Sequence, residues 1–134
     1  MYTTPMSKIF SLFLALMAYS DNSSEEYLCR VTYYHPHQDK WGSRVACPNT
    51  KRATEGVTVA AHPDFSFGTK IYIPDLKGVV GNGRFIVQDR GSAVTKKRAS
   101  HGKAYVFDVY LKNRPNYHKC IKNKTYMRVI ISRH

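Results

Sequence analysis

Six short runs rich in Val, Ile, Tyr and Phe divide the sequence, and the segments between them carry Gly, Pro, Asn and Asp. Runs of this kind predict β-strands, and the separating residues favour turns. The predicted strands cover residues 27–34, 56–62, 69–74, 83–89, 104–111 and 125–132. Six short strands within about a hundred residues predict a small closed β-barrel, because closure removes exposed sheet edges.

Helix is sparse in this sequence. One short helical turn is predicted within 113–121, and another around residues 93–100. The chain has 134 residues, a length that usually builds one core. We therefore expect one all-β domain with one or two short helices.

The N-terminal segment has the features of an export signal. Lys8 precedes the apolar stretch 9–18, and small residues before position 21 form a cleavage site. The apolar stretch is shorter than the roughly 20 residues of a membrane span, so no stable span is expected after cleavage. The alternative is a hydrophobic first helix. The predicted division is a signal peptide at 1–20, a disordered lead-in at 21–26 and the barrel at 27–134.

The chain carries a formal charge of +12, and removal of residues 1–20 would leave +11 because that segment holds one lysine and no acid. An exported basic protein is expected in the periplasm, at the outer membrane or outside the cell. Its charge indicates anionic cell-wall glycans as partners ahead of nucleic acid. The alternative is that the charge serves solubility alone.

The three cysteines are Cys29, Cys47 and Cys120, and export permits a disulfide. We pair Cys29 with Cys120, which would join the two ends of the domain. No two cysteines have the spacing of a zinc site, and the six histidines are scattered. No metal site is expected.

Four side chains are candidates for chemistry. Asp108 stands inside an apolar run, where burial would raise its pKa and suit a general acid, unless Arg or Lys neutralises it. Asp89 ends one strand, His62 ends another, and Glu55 lies in the turn before the strand that ends at His62. A structural Asx-turn at Asp89 and a structural histidine at His62 are at least as common as functional roles. Gathered at one rim, the four would suit glycosidic bond cleavage.

These residues lie in segments that resemble a known family. "VAAHPDFSFGTKIYIPD", "FIVQDRGSA" and "FDVYL" are similar to the double-psi β-barrel of the 3D (Asp-Asp-Asp) domain, of membrane-bound lytic transglycosylase A and of rare lipoprotein A. "RVTYYHPHQDKWGSRVA" is similar to the start of small exported bacterial 3D-domain proteins. The resemblance covers residues 30–129 approximately and implies a double-psi barrel that acts on peptidoglycan.

The resemblance carries over residue by residue. His62 stands where the 3D domain has its first aspartate, and Asp89 and Asp108 fall on the second and third. The transglycosylase resemblance makes Asp108 the acid, whereas rare lipoprotein A, which shares "AAH", "FGT" and a similar Asp-Arg-Gly segment, assigns function to His62 and Asp89. The upstream glutamate of rare lipoprotein A has no match in spacing in this sequence, and Glu55 is the nearest candidate. The choice of acid stays open.

The function expected from the resemblance is an exported peptidoglycan lytic transglycosylase with Asp108 and Asp89 as catalytic residues, His62 and Glu55 in substrate binding, and no metal or organic cofactor. Tyr33, Tyr34 or Trp41 could stack on sugars. A non-catalytic, expansin-like wall-binding barrel is the main alternative, and β-glucan hydrolysis in the endoglucanase manner is a third. A monomer is expected, and nucleic-acid binding ranks last.

Overall fold

The computed structural model describes residues 24–35, 43–50, 52–112 and 125–133. It contains six strands, namely β1 (Ser24–Tyr34), β2 (Thr58–Ala60), β3 (Lys70–Lys77), β4 (Asn82–Asp89), β5 (Val106–Tyr110) and β6 (Tyr126–Ser132). Each predicted strand is present, and its ends lie within three residues of the predicted ones. β-Branched and aromatic side chains favour these strands because they fit a pleated, half-buried surface.

The strands close into a barrel in the order β1-β5-β2-β4-β3-β6. β1 pairs with β5, and β2 with β4, in parallel. The other four neighbouring pairs are antiparallel. Because each of these six strands has two neighbours, closure leaves none of them as an edge strand. The predicted all-β, closed six-stranded barrel is confirmed.

Alternate residues of the strands point into the barrel and form its core. From β1 these are Cys29, Val31 and Tyr33, all buried. Phe65 and Phe107 are fully buried among them. Burial of a side chain of this size contributes roughly 1.5–3 kcal/mol, so the barrel interior is a main source of stability.

Strand β1 begins at Ser24, so residues 24–26, placed by the sequence in a disordered lead-in, are part of the barrel. Both glutamates of this segment pair with arginines that lie in β6 or directly after it. Arg133 Nε lies 3.0 Å from Glu25 Oε1, and Arg128 Nη2 lies 2.8 Å from Glu26 Oε1. These cross-strand pairs explain how a polar segment extends the strand.

The segment between β4 and β5 covers part of the barrel's outer surface. It forms the predicted helical turns as helix α1 (Ser92–Thr95) and a 3₁₀ helix at Arg98–Ser100. Val94 of α1 is buried against Ala60 and Val106, which point outward from the barrel. The outer face of β2 and β5 therefore has a small apolar cluster of its own.

Several sequence predictions fall outside the described residues: the signal peptide at 1–20, the helical turn within 113–121 and Cys120. Cys29, its predicted disulfide partner, lies in the barrel core, where burial raises the pKa of the thiol to about 12. Within the described ranges, no helix has the length and apolar character needed to cross a membrane.

Candidate active site

A row of four residues crosses four neighbouring strands on the outer face of the barrel. Thr32 of β1 is the register partner of Asp108 of β5, and Asp108 is the partner of Ala60 of β2. Ala60 is in turn the partner of Asp89 of β4. Residues directly opposite each other in neighbouring strands share a face. This acid row, Thr32, Asp108, Ala60 and Asp89, therefore places a carboxylate on each side of one alanine.

Asp89 reaches the outer face through an irregularity in the pairing of β2 with β4. Val87 points into the core, so strict alternation would send Asp89 inward as well. Val59 is opposite Val87, but Ala60 is opposite Asp89, so the register shifts by one residue at Gln88. The extra residue reverses the alternation as a bulge does, and Asp89 joins Ala60 on the outside.

The Asp89 carboxylate is buried and held by three donors. The backbone N–H groups of Ala46 and Arg90 both donate to Oδ1 over 2.9 Å. The Tyr34 hydroxyl donates to Oδ2, also over 2.9 Å. Donors on both oxygens are the arrangement that holds an ionised carboxylate in place. Asp89 is therefore a fixed negative charge beside Ala60.

The Asp108 carboxyl is less completely bonded. Among the described residues it accepts one hydrogen bond, from Thr32 Oγ1 to Oδ1 over 2.9 Å. Burial raises the pKa of Asp108 to about 7; the Thr32 hydrogen bond opposes this rise, and the negative charge of Asp89 adds to it. With this pKa, Asp108 is present both with and without its proton near neutral pH. It can donate a proton and afterwards accept one.

The surroundings of the Asp89 and Asp108 carboxyl groups differ. Asp89 has three hydrogen-bond donors, whereas Asp108 has one from the described residues and a raised pKa. Paired carboxyl groups in unequal environments are typical of acid catalysis, where one donates a proton and the other stays charged. The geometry favours Asp108 as the proton donor, a choice that the sequence left open.

Tyr34 is a positioning residue for Asp89. Burial raises the pKa of its hydroxyl well above the usual value, and the charge of Asp89 adds to the rise. The hydroxyl therefore keeps its proton and remains a donor. Its ring meets Tyr110 edge-on at 5.4 Å between centroids. Of the suggested sugar-stacking residues, Tyr33 points into the core and is not available for stacking, and Trp41 lies outside the described residues.

His62 follows Ala60 by two residues, at the end of β2. Its Nδ1 accepts a hydrogen bond from the backbone N–H of Asp64 over 3.0 Å, and its ring lies 5.6 Å from that of Tyr105. The side chain is 20% exposed. Among the described residues Nε2 has no hydrogen-bond partner, so this atom is available to a ligand.

Arg90 connects the acid row to the loop that carries His62. Its guanidinium donates from Nη1 to the Ala61 carbonyl over 3.1 Å and from Nη2 to the Phe65 carbonyl over 2.8 Å. The same group lies 4.2 Å from the centroid of the Phe67 ring. The sequence gives no signal for this role, because the partners are backbone carbonyls and a neighbouring ring.

Glu55 is not brought together with the acids. Its Oε1 accepts a hydrogen bond from the backbone N–H of Lys112 over 3.0 Å, just beyond the end of β5. Glu55 precedes β2 and His62 follows it, so the two residues lie beyond opposite ends of that strand. Asp89 and Asp108 flank Ala60 of β2, His62 follows that strand on one side, and Glu55 precedes it on the other.

Thr32 was not recognised as a site residue from the sequence, and Tyr34 was named only as a possible sugar-stacking residue. The available signal was alternation: in "RVTYY", Thr32 and Tyr34 share the face opposite to the core-facing Val31 and Tyr33. Nothing local to β1, however, indicates that this face meets the acids. The contact depends on the parallel pairing of β1 with β5.

Two cavities of about 300 Å³ lie elsewhere on the described surface. One is lined by residues that include Tyr72, Arg84 and Ile86, and the other by residues that include Ser66 and Arg133. Neither is lined by a member of the acid row. Within the described part of the chain, no group of three or more His, Cys, Asp and Glu side chains is arranged to hold a metal ion.

No family model matches the chain, and no curated protein is significantly similar to it. The geometry of the acid row and the motifs of the sequence are therefore the evidence for function.

Proposed function

We propose that the protein is an exported lytic transglycosylase that cleaves the bond between N-acetylmuramic acid and N-acetylglucosamine in peptidoglycan, with Asp108 as the catalytic acid. The observation that carries this proposal is the pair of carboxyl groups flanking Ala60, of which Asp108 has a pKa of about 7. The closed barrel with mixed pairing is compatible with the double-psi barrel of the family that the sequence resembles.

In the proposed reaction, Asp108 donates its proton to the glycosidic oxygen as the bond from that oxygen to the muramic C1 breaks. The muramic 6-hydroxyl then attacks C1, which has oxocarbenium character, and the Asp108 carboxylate accepts the hydroxyl proton. The products are a free 4-hydroxyl on one chain end and a 1,6-anhydro sugar on the other. No water is consumed, and Asp108 ends in its starting state.

Asp89 contributes its fixed negative charge, which favours the positive charge that develops at C1. Tyr34 and the backbone N–H groups of Ala46 and Arg90 hold this carboxylate in place, so little reorganisation is needed during the reaction. His62 lies along the same strand and has Nε2 available to position a sugar hydroxyl.

Incubation of the purified protein with purified sacculi tests the proposal, with the soluble products analysed by mass spectrometry. We expect anhydro-muropeptides, which are lighter by one water than the products of hydrolysis. Asp108→Asn should abolish their release. Asp75→Asn, the same chemical change at an exposed carboxylate of β3, should leave it unchanged.

Other outcomes would identify the alternatives. Folded protein that binds sacculi but releases no anhydro-muropeptide would support a non-catalytic wall-binding barrel. Release of reducing ends from cellulose, with no anhydro product from sacculi, would support hydrolysis in the endoglucanase manner.

A further inference from the structure

The segment that packs beside the acid row is the most one-sidedly charged part of the described chain. Residues 90–107 contain five Lys and Arg side chains and no Asp or Glu. Within this segment we define the basic turn as residues 96–103. Its Lys96, Arg98 and Lys103 are exposed, and none of them has a carboxylate within ion-pair distance among the described residues.

Three other basic side chains of the barrel are already engaged. Arg128 and Arg133 pair with glutamates of β1, and Arg90 donates to two backbone carbonyls. In the basic turn, the ammonium of Lys97 lies 4.5 Å from the centroid of the Tyr105 ring, and the Asp64 carboxylate is close enough to act on its charge. Within this turn, the positive charge that the described part of the protein does not pair is therefore that of Lys96, Arg98 and Lys103.

The basic turn is held next to the acids by buried contacts. Val94 packs on Ala60, the residue that Asp89 and Asp108 flank. At the other end, the buried Ser100 hydroxyl lies 2.5 Å from the Ala104 carbonyl, to which it donates. The 3₁₀ helix packs on β1 and β5, the strands that carry Thr32 and Asp108. A polymer bound at the acid row therefore passes the basic turn.

The backbone of the basic turn is strained at two charged or titratable residues. Lys97 and His101 have φ values of 52° and 54°, in the left-handed region that favours glycine. They are the only non-glycine residues with positive φ in the described chain. Both residues cap the 3₁₀ helix at Arg98–Ser100, Lys97 at its N-terminal end and His101 at its C-terminal end.

We propose that the basic turn is a docking surface for the negatively charged groups of the wall polymer whose glycosidic bond lies at Asp108. This inference rests on the proposed function and specifies its substrate: a glycan that bears free carboxylates on its peptide stems. Exposed Lys and Arg side chains attract these carboxylates through charge.

A binding assay tests this inference separately from catalysis. In an Asp108→Asn background, Lys96→Gln/Arg98→Gln/Lys103→Gln is compared with Lys70→Gln/Lys77→Gln/Arg84→Gln, which removes three exposed charges from β3 and β4. Co-sedimentation with sacculi at several salt concentrations gives the apparent Kd. We expect about tenfold weaker binding and a smaller salt dependence for the basic-turn variant, and less than about a twofold change for the control.

Equal losses in the two triple variants, or no loss in either, would overturn the inference even if the native protein releases anhydro-muropeptides. Tighter binding of a DNA duplex than of sacculi, lost in the basic-turn variant, would also overturn it. Sacculi stripped of phosphodiester polymers with hydrofluoric acid should bind as untreated sacculi do, and loss of binding on this treatment would overturn the assignment to the stem carboxylates. The expected binding pattern without any anhydro product would support the docking surface and contradict the proposed catalysis.

Discussion

Asp89 and Asp108 face the same residue, Ala60, from the two strands that flank β2. Only a methyl side chain stands between these two register positions, so the charge of one carboxylate acts on the other. Asp89 already has three donors, and Asp108 has one among the described residues. Burial raises the pKa of Asp108 to about 7, and the charge of Asp89 adds to this rise.

The first prediction concerns the pH dependence of stability. The pKa of Asp108 is raised from 3.8 to about 7 in the folded state, so the folded protein binds more protons than the unfolded chain between these values. The contribution of Asp108 to stability is therefore greatest below the lower value and is lost as pH rises toward about 7. The loss should be roughly 2–4 kcal/mol. Asp108→Asn removes this loss, because the amide does not ionise.

Urea unfolding from pH 4 to pH 8, by steps of about one unit, checks this expectation. The difference between native and Asp108→Asn protein should grow with pH in favour of the variant, and Asp75→Asn should run parallel to the native protein. Parallel curves for all three proteins would contradict a raised pKa at Asp108.

The second prediction concerns the hydrogen bonds that hold the Asp89 carboxylate. Tyr34→Phe removes the donor to Oδ2 of a buried carboxylate, which should destabilise the protein by about 1–3 kcal/mol. Tyr126→Phe is the matched control, because Tyr126 is 42% exposed, and its effect should stay within about 0.5 kcal/mol. The midpoints of urea unfolding, at an unchanged m-value, measure the effects of both substitutions on stability. An equal effect of the two substitutions would rule out a specific role for the Tyr34 hydroxyl.

The third prediction concerns Arg90. Lysine lacks the planar fork that reaches the carbonyls of Ala61 and Phe65 together, so Arg90→Lys should loosen the loop that carries His62. Hydrogen exchange at the Phe65 amide should accelerate, since its bond to the His62 carbonyl lies within this loop. Arg84→Lys, at an exposed position of β4, is the control. Unchanged exchange in Arg90→Lys would show that the loop keeps its shape without the guanidinium.

The strands were predictable from the sequence because their signals are local. Alternation in "RVTYY" and the turn residues between runs depend on neighbours along the chain. Closure followed from the number of short strands. The contacts of the acid row are not local: Thr32 and Asp108 are 76 residues apart and meet only because β1 pairs with β5.

The orientation of the Asp89 side chain was even harder to predict from the sequence than these contacts. Its position in β4 predicts an inward side chain, and only the register shift against β2 turns it outward. The separation of Glu55 from His62 has a similar cause, because both lie close to β2 in sequence but beyond opposite ends of it. The proposal of Asp108 as the acid depends on the hydrogen bonds to each carboxylate, and no residue pattern predicts these bonds.

The fourth prediction tests a close backbone approach in the barrel. Gly83 has a φ of 73°, and a Cβ there would lie 2.6 Å from the Ile73 carbonyl oxygen and 2.9 Å from the Lys77 nitrogen. Gly83→Ala should therefore cost about 3 kcal/mol or more, through both strain and steric overlap. Gly91→Ala is the control, since its backbone is extended and its Cβ would meet nothing within 4 Å. Thermal unfolding should show a large loss of Tm for the first variant alone.

The fifth prediction concerns the pH dependence of activity. If Asp108 donates its proton in the rate-limiting step, release of anhydro-muropeptides should fall above a pH of about 7. The fall should approach tenfold per pH unit, because the protonated fraction falls in that proportion. Initial rates measured over the neutral and alkaline range locate the midpoint of this descending limb of the pH–rate profile.

Two substitutions should move that midpoint in opposite directions. Thr32→Val removes the hydrogen bond that opposes the rise in the pKa of Asp108, so the limb should shift to higher pH; Thr32→Ser keeps the hydroxyl and should leave it in place. Asp89→Asn removes a negative charge that raises the same pKa, so the limb should shift to lower pH even though the rate itself falls. A midpoint that moves with neither Thr32→Val nor Asp89→Asn would mean that another group donates the proton.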